Sequence, residues 1–371
     1  MLSGGDCNGF LPMGQLPIGL GINLHRQVSE MKIMVTGGAG YIGSHTVVEL
    51  QQHGFEVVVV DNLVNSSMQV LDGIQAITGV RPGFEKVDLT QPEATRDLFS
   101  RHGEVRAIIH FAALKAVGES VKLPLAYYSN NLLSLMNVLA CMREFKVPSL
   151  VFSSSCTVYG QADVLPVTEA TPRREAESPY GNTKMMSEDI LRDVMAVEPE
   201  LQTIALRYFN PIGAHPSAHI GELPNGVPNN LIPYLTQTAI GIREELSVFG
   251  DDYNTPDGSP IRDYIDVVDL AKAHVIAIRR LLDKKNRGNY EYFNIGTGRG
   301  LSVLEVIHAF EQATGVAVNY RITGRRPGDI EKVWADTTLA NQELGWRAET
   351  PIGETMANAW RWQQRISKPC V

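Results

Sequence analysis

Three glycines at three-residue spacing, Gly37, Gly40 and Gly43, constrain this chain more than any other feature. They lie between the apolar run Lys32-Ile-Met-Val35 and an amphipathic stretch that reaches His53. Such a pair of segments reads as a short strand followed by a helix. The backbone between them has to turn tightly, let an anion come close, and pack the helix on the strand, and residues without a side chain suit all three tasks. Tyr41 and Ile42 open the helix, whose first N–H groups have no intrahelical acceptor and attract negative charge. The unit is suited to holding a pyrophosphate.

The next strand narrows the ligand. Val57-Val-Val-Val60 runs into Asp61 and Asn62, close to the offset of about 20 residues at which a carboxylate binds adenosine ribose hydroxyls in dinucleotide folds. A carboxylate there repels a 2′-phosphate, so NAD is favoured over NADP. Gly83-Phe-Glu-Lys-Val-Asp88 reads as a third strand. Asp88 and Leu89 at its end either contact adenine or, in the case of Asp88, cap the following helix. Ala107-Ile-Ile-His-Phe-Ala-Ala113 is a buried strand whose small residues let backbone lie against a cofactor. A helical stretch over 123–145 carries Asn130-Asn131 on an otherwise apolar pattern, and those amides need partners if buried. Ser149-Leu-Val-Phe-Ser-Ser-Ser155 is a strand ending in a serine row. Ser155 is the candidate donor to a ligand hydroxyl or to Tyr180, while Ser153 and Ser154 are better read as capping local backbone.

This alternation predicts a doubly wound parallel α/β sheet of the Rossmann type over 31–211, with a return segment near 262–295. A smaller mixed α/β domain over 212–371 is expected to bind the second ligand, because long polar loops after a complete sheet usually carry binding function. Residues 1–30, with Pro12, Pro17 and several glycines, are expected to lie outside the fold. The 371 residues carry a net charge of −8 without a basic run, which argues against nucleic acid or an anionic membrane as partner. No apolar run approaches the ~20 residues of a membrane span. Cys7, Cys141, Cys156 and Cys370 lack metal-ligand spacing, so a cytoplasmic protein without a metal site is expected.

The chemistry is concentrated in Ser178-Pro-Tyr-Gly-Asn-Thr-Lys184. With Ser178 as cap and Pro179 in the first turn, Tyr180 and Lys184 rise from one helical face. A cation ~6 Å from a phenol at an effective dielectric of ~20 favours phenolate by roughly 3 kcal/mol. An oxidised nicotinamide would add a second positive charge. The pair therefore reads as a base that is strongest with NAD+ bound.

From Met31 to about Trp362 the chain resembles the UDP-glucose 4-epimerase family of extended short-chain dehydrogenase/reductases. The resemblance rests on Thr36-Gly-Gly-Ala-Gly-Tyr-Ile-Gly-Ser-His45, His110-Phe-Ala-Ala-Leu-Lys-Ala-Val-Gly-Glu-Ser120, Ser153-Ser-Ser-Cys-Thr-Val-Tyr-Gly160, the Tyr180–Lys184 spacing, Arg207-Tyr-Phe-Asn-Pro211 and Pro228-Asn-Asn230. It implies that Tyr180 takes the proton of the sugar 4-hydroxyl, that Lys184 holds the nicotinamide ribose and depresses the tyrosine pKa, and that Ser155 and Thr157 bond the reacting region. Asn62, Phe111, Ala112, Lys115, Asn130 and Tyr208 fall at cofactor positions. Asn210, Asn229, Asn230, Arg262, Arg326 and Asp329 fall at positions that hold the uridine diphosphate of UDP-glucose or UDP-galactose. It also implies a homodimer packed through the helices around 123–145 and 180–197. Val333 stands where the family carries either tyrosine or a small residue beside the sugar 2-position, so N-acetylated sugars are expected to fit as well. Two other readings remain open at this point. A nucleotide-sugar 4,6-dehydratase would carry an Asp-Glu pair where this chain has Cys156-Thr157, and a non-catalytic NAD sensor could use the same fold.

Overall fold

The computed structural model describes residues 31–326 and 330–368. The expected extension over 1–30 and the substrate candidate Asp329 lie outside the described residues.

Seven parallel strands form the large sheet: β1 (Lys32–Thr36), β2 (Glu56–Asp61), β3 (Gly83–Lys86), β4 (Val105–His110), β5 (Ser149–Ser155), β6 (Gln202–Tyr208) and a later edge strand, Tyr290–Ile295. Their spatial order is β3, β2, β1, β4, β5, β6 and then the edge strand. The order reverses between β1 and β4, and open α/β sheets bind ligands at the carboxyl ends of strands flanking such a switch point. Val57 to Val60 and all of β5 are buried, as continuous apolar strands covered on both faces require.

The helices of this part are α1 (Tyr41–Gln52), α2 (Gln69–Thr78), α3 (Pro92–Arg101), α4 (Val117–Lys122), α5 (Pro124–Phe145) and α6 (Pro179–Val197). One apolar core joins α1 and α2 to one sheet face through Val47, Leu50, Leu71 and Ile74. Leu98, Leu135, Val138, Met142, Leu191 and Met195 build a second core on the other face. The stretch expected as one helix over 123–145 is preceded by the short α4, and Pro124 opens α5 at a position where a missing N–H costs nothing.

After β6 come β7 (Asn210–Ile212), α7 (Leu231–Ala239), β8 (Leu246–Phe249), β9 (Ile261–Asp266) and α8 (Val267–Leu282), and then the sheet edge, β10 (Tyr290–Ile295). Within 262–295, α8 and β10 rejoin the large sheet, whereas β9 belongs to a smaller one. That smaller sheet contains β11 (Gly300–Ser302), β9 and β13 (Lys332–Val333), with β7 also paired to β9. β12 (Tyr320–Thr323) pairs with β8, and α9 (Val303–Thr314), α10 (Thr338–Glu343) and α11 (Ile352–Ile366) complete the chain. Among the described residues no helix is long and apolar enough to cross a membrane, and no group of three or more His, Cys, Asp or Glu is placed to hold a metal.

Candidate active site

At the carboxyl end of β1 the glycine loop is built as its spacing implies. Gly37 has φ +70°, and a Cβ there would lie 2.7 Å from the Ala112 backbone nitrogen. A Cβ on Gly43 would lie 2.3 Å from the Gly37 carbonyl oxygen. Gly40 is the N-cap of α1, so no side chain satisfies the first N–H groups at Tyr41 and Ile42. This bare, positively polarised helix end is where a pyrophosphate fits.

Asp61 ends β2 beside the loop, where its carboxylate accepts from Ala39 N at 3.2 Å, Leu63 N at 2.9 Å and Ser66 Oγ at 2.8 Å. Asn62 accepts from Val64 N at 3.1 Å. Asp88 accepts from Thr90 N and Thr90 Oγ1, while α3 starts four residues later with Gln91 as its N-cap. It therefore holds a local turn and does not cap the helix. Leu89 beside it is buried. Phe111 and Ala112 leave β4 half-buried, facing the glycine loop.

The second half of the site forms where α6 crosses the end of β5. Ser178 accepts from Gly181 N at 3.1 Å, and Pro179 occupies the first turn, as the sequence requires. Tyr180 and Lys184 are 9% and 4% exposed, so both functional groups are removed from bulk water. The Lys184 ammonium lies 6.0 Å from the Tyr180 ring centre, 4.9 Å from that of Phe152, and donates to the Ser153 carbonyl at 2.6 Å. Burial lowers its pKa to about 8, against a raising effect of Glu188. Burial also drives the Tyr180 phenol well above its ordinary value, with Tyr208 and Cys156 adding to the rise and the Ser155 hydroxyl opposing it. In the protein alone desolvation dominates, so the phenol keeps its proton.

The serine row divides its work differently from the expectation. Ser153 Oγ shares a 2.5 Å hydrogen bond with Tyr208 Oη, and Ser154 Oγ donates to Glu188 at 2.5 Å. Neither caps local backbone. Ser155 does, accepting from Thr157 N at 3.2 Å at the start of a 3₁₀ turn over Cys156–Tyr159. The buried Thr157 hydroxyl has no protein partner, which leaves it for a ligand.

The remaining candidates lie on the loops and elements that follow β4 and β6. Lys115 pairs with Glu222 at 3.3 Å and sits over the Tyr41 ring, and Asn230 donates to the same Glu222 oxygen at 2.6 Å. Asn229 is exposed next to it, and Asn210 lies half-buried on β7. Arg262 on β9 is in register with Val333 on β13, and Cys156 feels its charge. Val333 is buried in an apolar cluster with Val158, Tyr159, Phe209 and Ala335, against which Cys156 packs. Arg325 forms the surface ion pair with Asp252, while the Arg326 guanidinium lies 5.6 Å from the Phe249 ring centre. Asn130 donates to Asn131, which also bonds Leu114 N, Leu114 O and Thr183 Oγ1 and so ties α5 to α6.

Residues 33–296 match the model of the NAD dependent epimerase/dehydratase family. The chain belongs to this family. Among its relatives, the UDP-glucose 4-epimerase of Bacillus subtilis is 52% identical over 333 residues, covering 90% of this chain and 97% of that protein. A crystal structure of UDP-glucose-4-epimerase from Stenotrophomonas maltophila with bound NAD and formylated UDP-arabinopyranose superposes with a TM-score of 0.87 at 48% identity, covering 91% and 99% of the two chains. The enzyme from Bifidobacterium longum, in complex with NAD+ and UDP, gives 0.86 at 45% identity, covering 90% and 98%.

Two polar residues of this family member escaped the sequence reading. Glu222 joins a cofactor candidate 107 residues away to a substrate candidate, a contact that only the fold creates. Glu188 was within reach, because it lies one turn beyond Lys184 on the face that already carries Tyr180.

Proposed function

We propose that the chain interconverts UDP-glucose and UDP-galactose through a transient 4-keto sugar, with tightly held NAD. The observation that carries this reading is the burial of Tyr180 and Lys184 together beside Ser155, at the carboxyl end of β5. The uncapped end of α1, the glycine cradle and Asp61 fit a dinucleotide, which when bound accepts hydride from sugar C4 and returns it. Tyr180 takes the 4-hydroxyl proton and returns it to the same oxygen once the ring has turned over and C4 regains its hydride on the opposite face. Lys184 holds the nicotinamide ribose and adds positive charge, while Ser155 and Thr157 bond the reacting oxygen. Phe111, Ala112, Lys115, Asn130 and Tyr208 line the cofactor side.

Arg262, Arg326, Asn210, Asn229, Asn230 and Asp329 hold the uridine diphosphate. Guanidinium groups suit that task because they bind phosphate oxygens bidentately. Anchoring on the nucleotide leaves the flattened 4-keto ring free to turn over before hydride returns. A 4,6-dehydratase needs a further acid/base pair, but the Cys156 thiol is pushed up to about 12 by burial and Thr157 offers only a hydroxyl. One incubation separates the readings: UDP-galactose becomes UDP-glucose here, a dehydratase yields a 4-keto-6-deoxy sugar, and a sensor yields no product.

Asp61 sets the cofactor choice. Asp61→Ala is expected to weaken NAD about 10- to 100-fold, the worth of charge-assisted hydrogen bonds, and to narrow the gap to NADP. Titration of both dinucleotides into stripped protein measures this, and equal affinities in the unmutated protein would remove Asp61 from the role.

Val333 widens the sugar site. Its small side chain and its register with Arg262 support turnover of UDP-N-acetylglucosamine and UDP-N-acetylgalactosamine alongside the hexoses. Val333→Tyr is expected to abolish N-acetyl turnover while the hexose pair survives, because the apolar cluster behind it leaves a larger ring nowhere to go but the cleft. A tyrosine variant that accepts both pairs equally would refute the gate.

The working unit is a homodimer. Positions 125, 129, 133, 136 and 140 of α5 are exposed at three- and four-residue spacing, with Leu125, Leu133 and Met136 apolar, and Met186 and Val197 are exposed on α6. A stripe of this kind marks an association surface. Light scattering should give the mass of two chains, and Leu125→Asp with Leu133→Asp should reduce it to one.

A further inference from the structure

Behind the Tyr180–Lys184 pair lies a fully buried ion pair to which the reaction as described gives no task. Glu188 and Arg207 have side chains 2% and 5% exposed, joined by Arg207 Nε to Glu188 Oε1 at 2.9 Å and Nη2 to Oε2 at 2.6 Å. Register explains how they meet: β5 and β6 pair Ser154 with Arg207 and Ser155 with Tyr208. The guanidinium also packs between the rings of Tyr292 at 4.2 Å and Tyr159 at 5.1 Å and donates to Tyr159 Oη at 3.0 Å.

Tyr180, Lys184 and Glu188 recur every four residues along one face of α6, and each meets the end of β5. Tyr180 faces the Ser155 hydroxyl, Lys184 donates to the Ser153 carbonyl, and Glu188 accepts from Ser154 Oγ. Burying two charges is expensive, and an apolar pair of similar volume is often as stable or more so. A role beyond stability is therefore worth testing.

We propose that Glu188 is a positioning residue for proton transfer: clamped by Arg207 and Ser154, it holds α6 in register against the catalytic end of β5 and supplies an anion one helical turn from Lys184. The proposal rests on the reading of Tyr180 and Lys184 as the acid/base pair.

The surroundings of Lys184 support this. His110 on β4 is held neutral by burial, with its pKa near 3, and Tyr208 on β6 and Tyr180 on α6 are both raised above their ordinary values. Tyr127 of α5 acts on Tyr180 and carries a raised pKa of its own. The Glu188 carboxylate raises the Lys184 pKa against the effect of burial. Glu188 in turn faces Arg207, Arg173 at 3.8 Å, and the Tyr290 hydroxyl of β10. Removing the anion takes away the influence that raises the Lys184 pKa, so the ammonium is lost at lower pH.

The test uses the full chain in three forms. Glu188→Leu with Arg207→Met deletes both charges without leaving one unpaired, so the fold is expected to survive, which circular dichroism checks. Arg207→Lys keeps both charges but loses the bidentate geometry. Turnover against pH, together with a 15N titration of the lysine side chains in which the Lys184 signal is assigned by its loss in Lys184→Met, should show the Lys184 step displaced downward by about half a pH unit in the double variant, because the nearer anion outweighs the more distant Arg207 cation lost with it. It should stay unmoved in Arg207→Lys. A step unmoved in the folded double variant, or displaced equally in Arg207→Lys, would overturn the proposal. The lysine signal is read without turnover. An unmutated protein that fails to convert UDP-galactose thus counts against the epimerase reading and leaves the Glu188 result to be read separately.

Discussion

Tyr180→Phe is expected to lower turnover by about 10²- to 10⁴-fold, the usual contribution of a positioned acid/base group, while nucleotide-sugar affinity changes little. The substitution removes one oxygen and keeps the ring, so the contacts of the ring with α6 and the end of β5 survive. In the proposed reading the nucleotide is held elsewhere, at Arg262, Asn230 and their neighbours. A loss confined to turnover identifies a group used in the transition state and not in ground-state binding. Burial holds the phenol protonated in the protein alone, against the help of Ser155. Unchanged turnover in Tyr180→Phe would remove the residue from the mechanism.

Gly43→Ala should have the second-largest effect, on the cofactor. The added Cβ would stand 2.3 Å from the Gly37 carbonyl oxygen and 2.8 Å from Gly38 Cα, both backbone atoms of the loop itself. No side-chain rotation relieves such a contact, so the loop or α1 has to move. Overpacking of this kind costs about 1–3 kcal/mol of stability, and the displaced N–H groups no longer converge on a pyrophosphate. The variant is expected to unfold at lower temperature and to emerge from gel filtration without NAD. Retention of the full complement of NAD would show that the close packing of Gly43 does not shape the site.

What could be read from the sequence was what local patterning encodes. The glycine loop, Asp61 at the end of β2, the bounds of Ser149–Ser155, and the Ser178 cap with Tyr180 and Lys184 on one face all depend on residues a few positions apart, and the structure has them so. The tasks of the three consecutive serines could not be read this way. Ser153 finds Tyr208 and Ser154 finds Glu188 only because β6 and α6 are folded against β5, while Ser155 turns back to Thr157 because a 3₁₀ turn follows. Spacing along α6 speaks only to Coulomb attraction between Tyr180 and Lys184. Nearly complete burial, invisible in a spacing rule, adds a larger opposing effect. Asp88 was balanced between two roles, and a Thr90 two residues on, followed by Pro92, settles its local hydrogen bonding in favour of a turn. Glu222, which links Lys115 to Asn230, depends on long-range folding and has no short-range signature.

The central claim is hydride removal and return at one carbon by a cofactor that stays bound. Its most direct test is to incubate freshly purified protein with UDP-galactose labelled with deuterium at C4, adding no NAD, and to follow the products by NMR and mass spectrometry. The expected product is UDP-glucose that keeps the deuterium at C4, with NAD in the ligand released on denaturation. A product that has lost the label to water, or no conversion by protein shown to carry NAD, would contradict it.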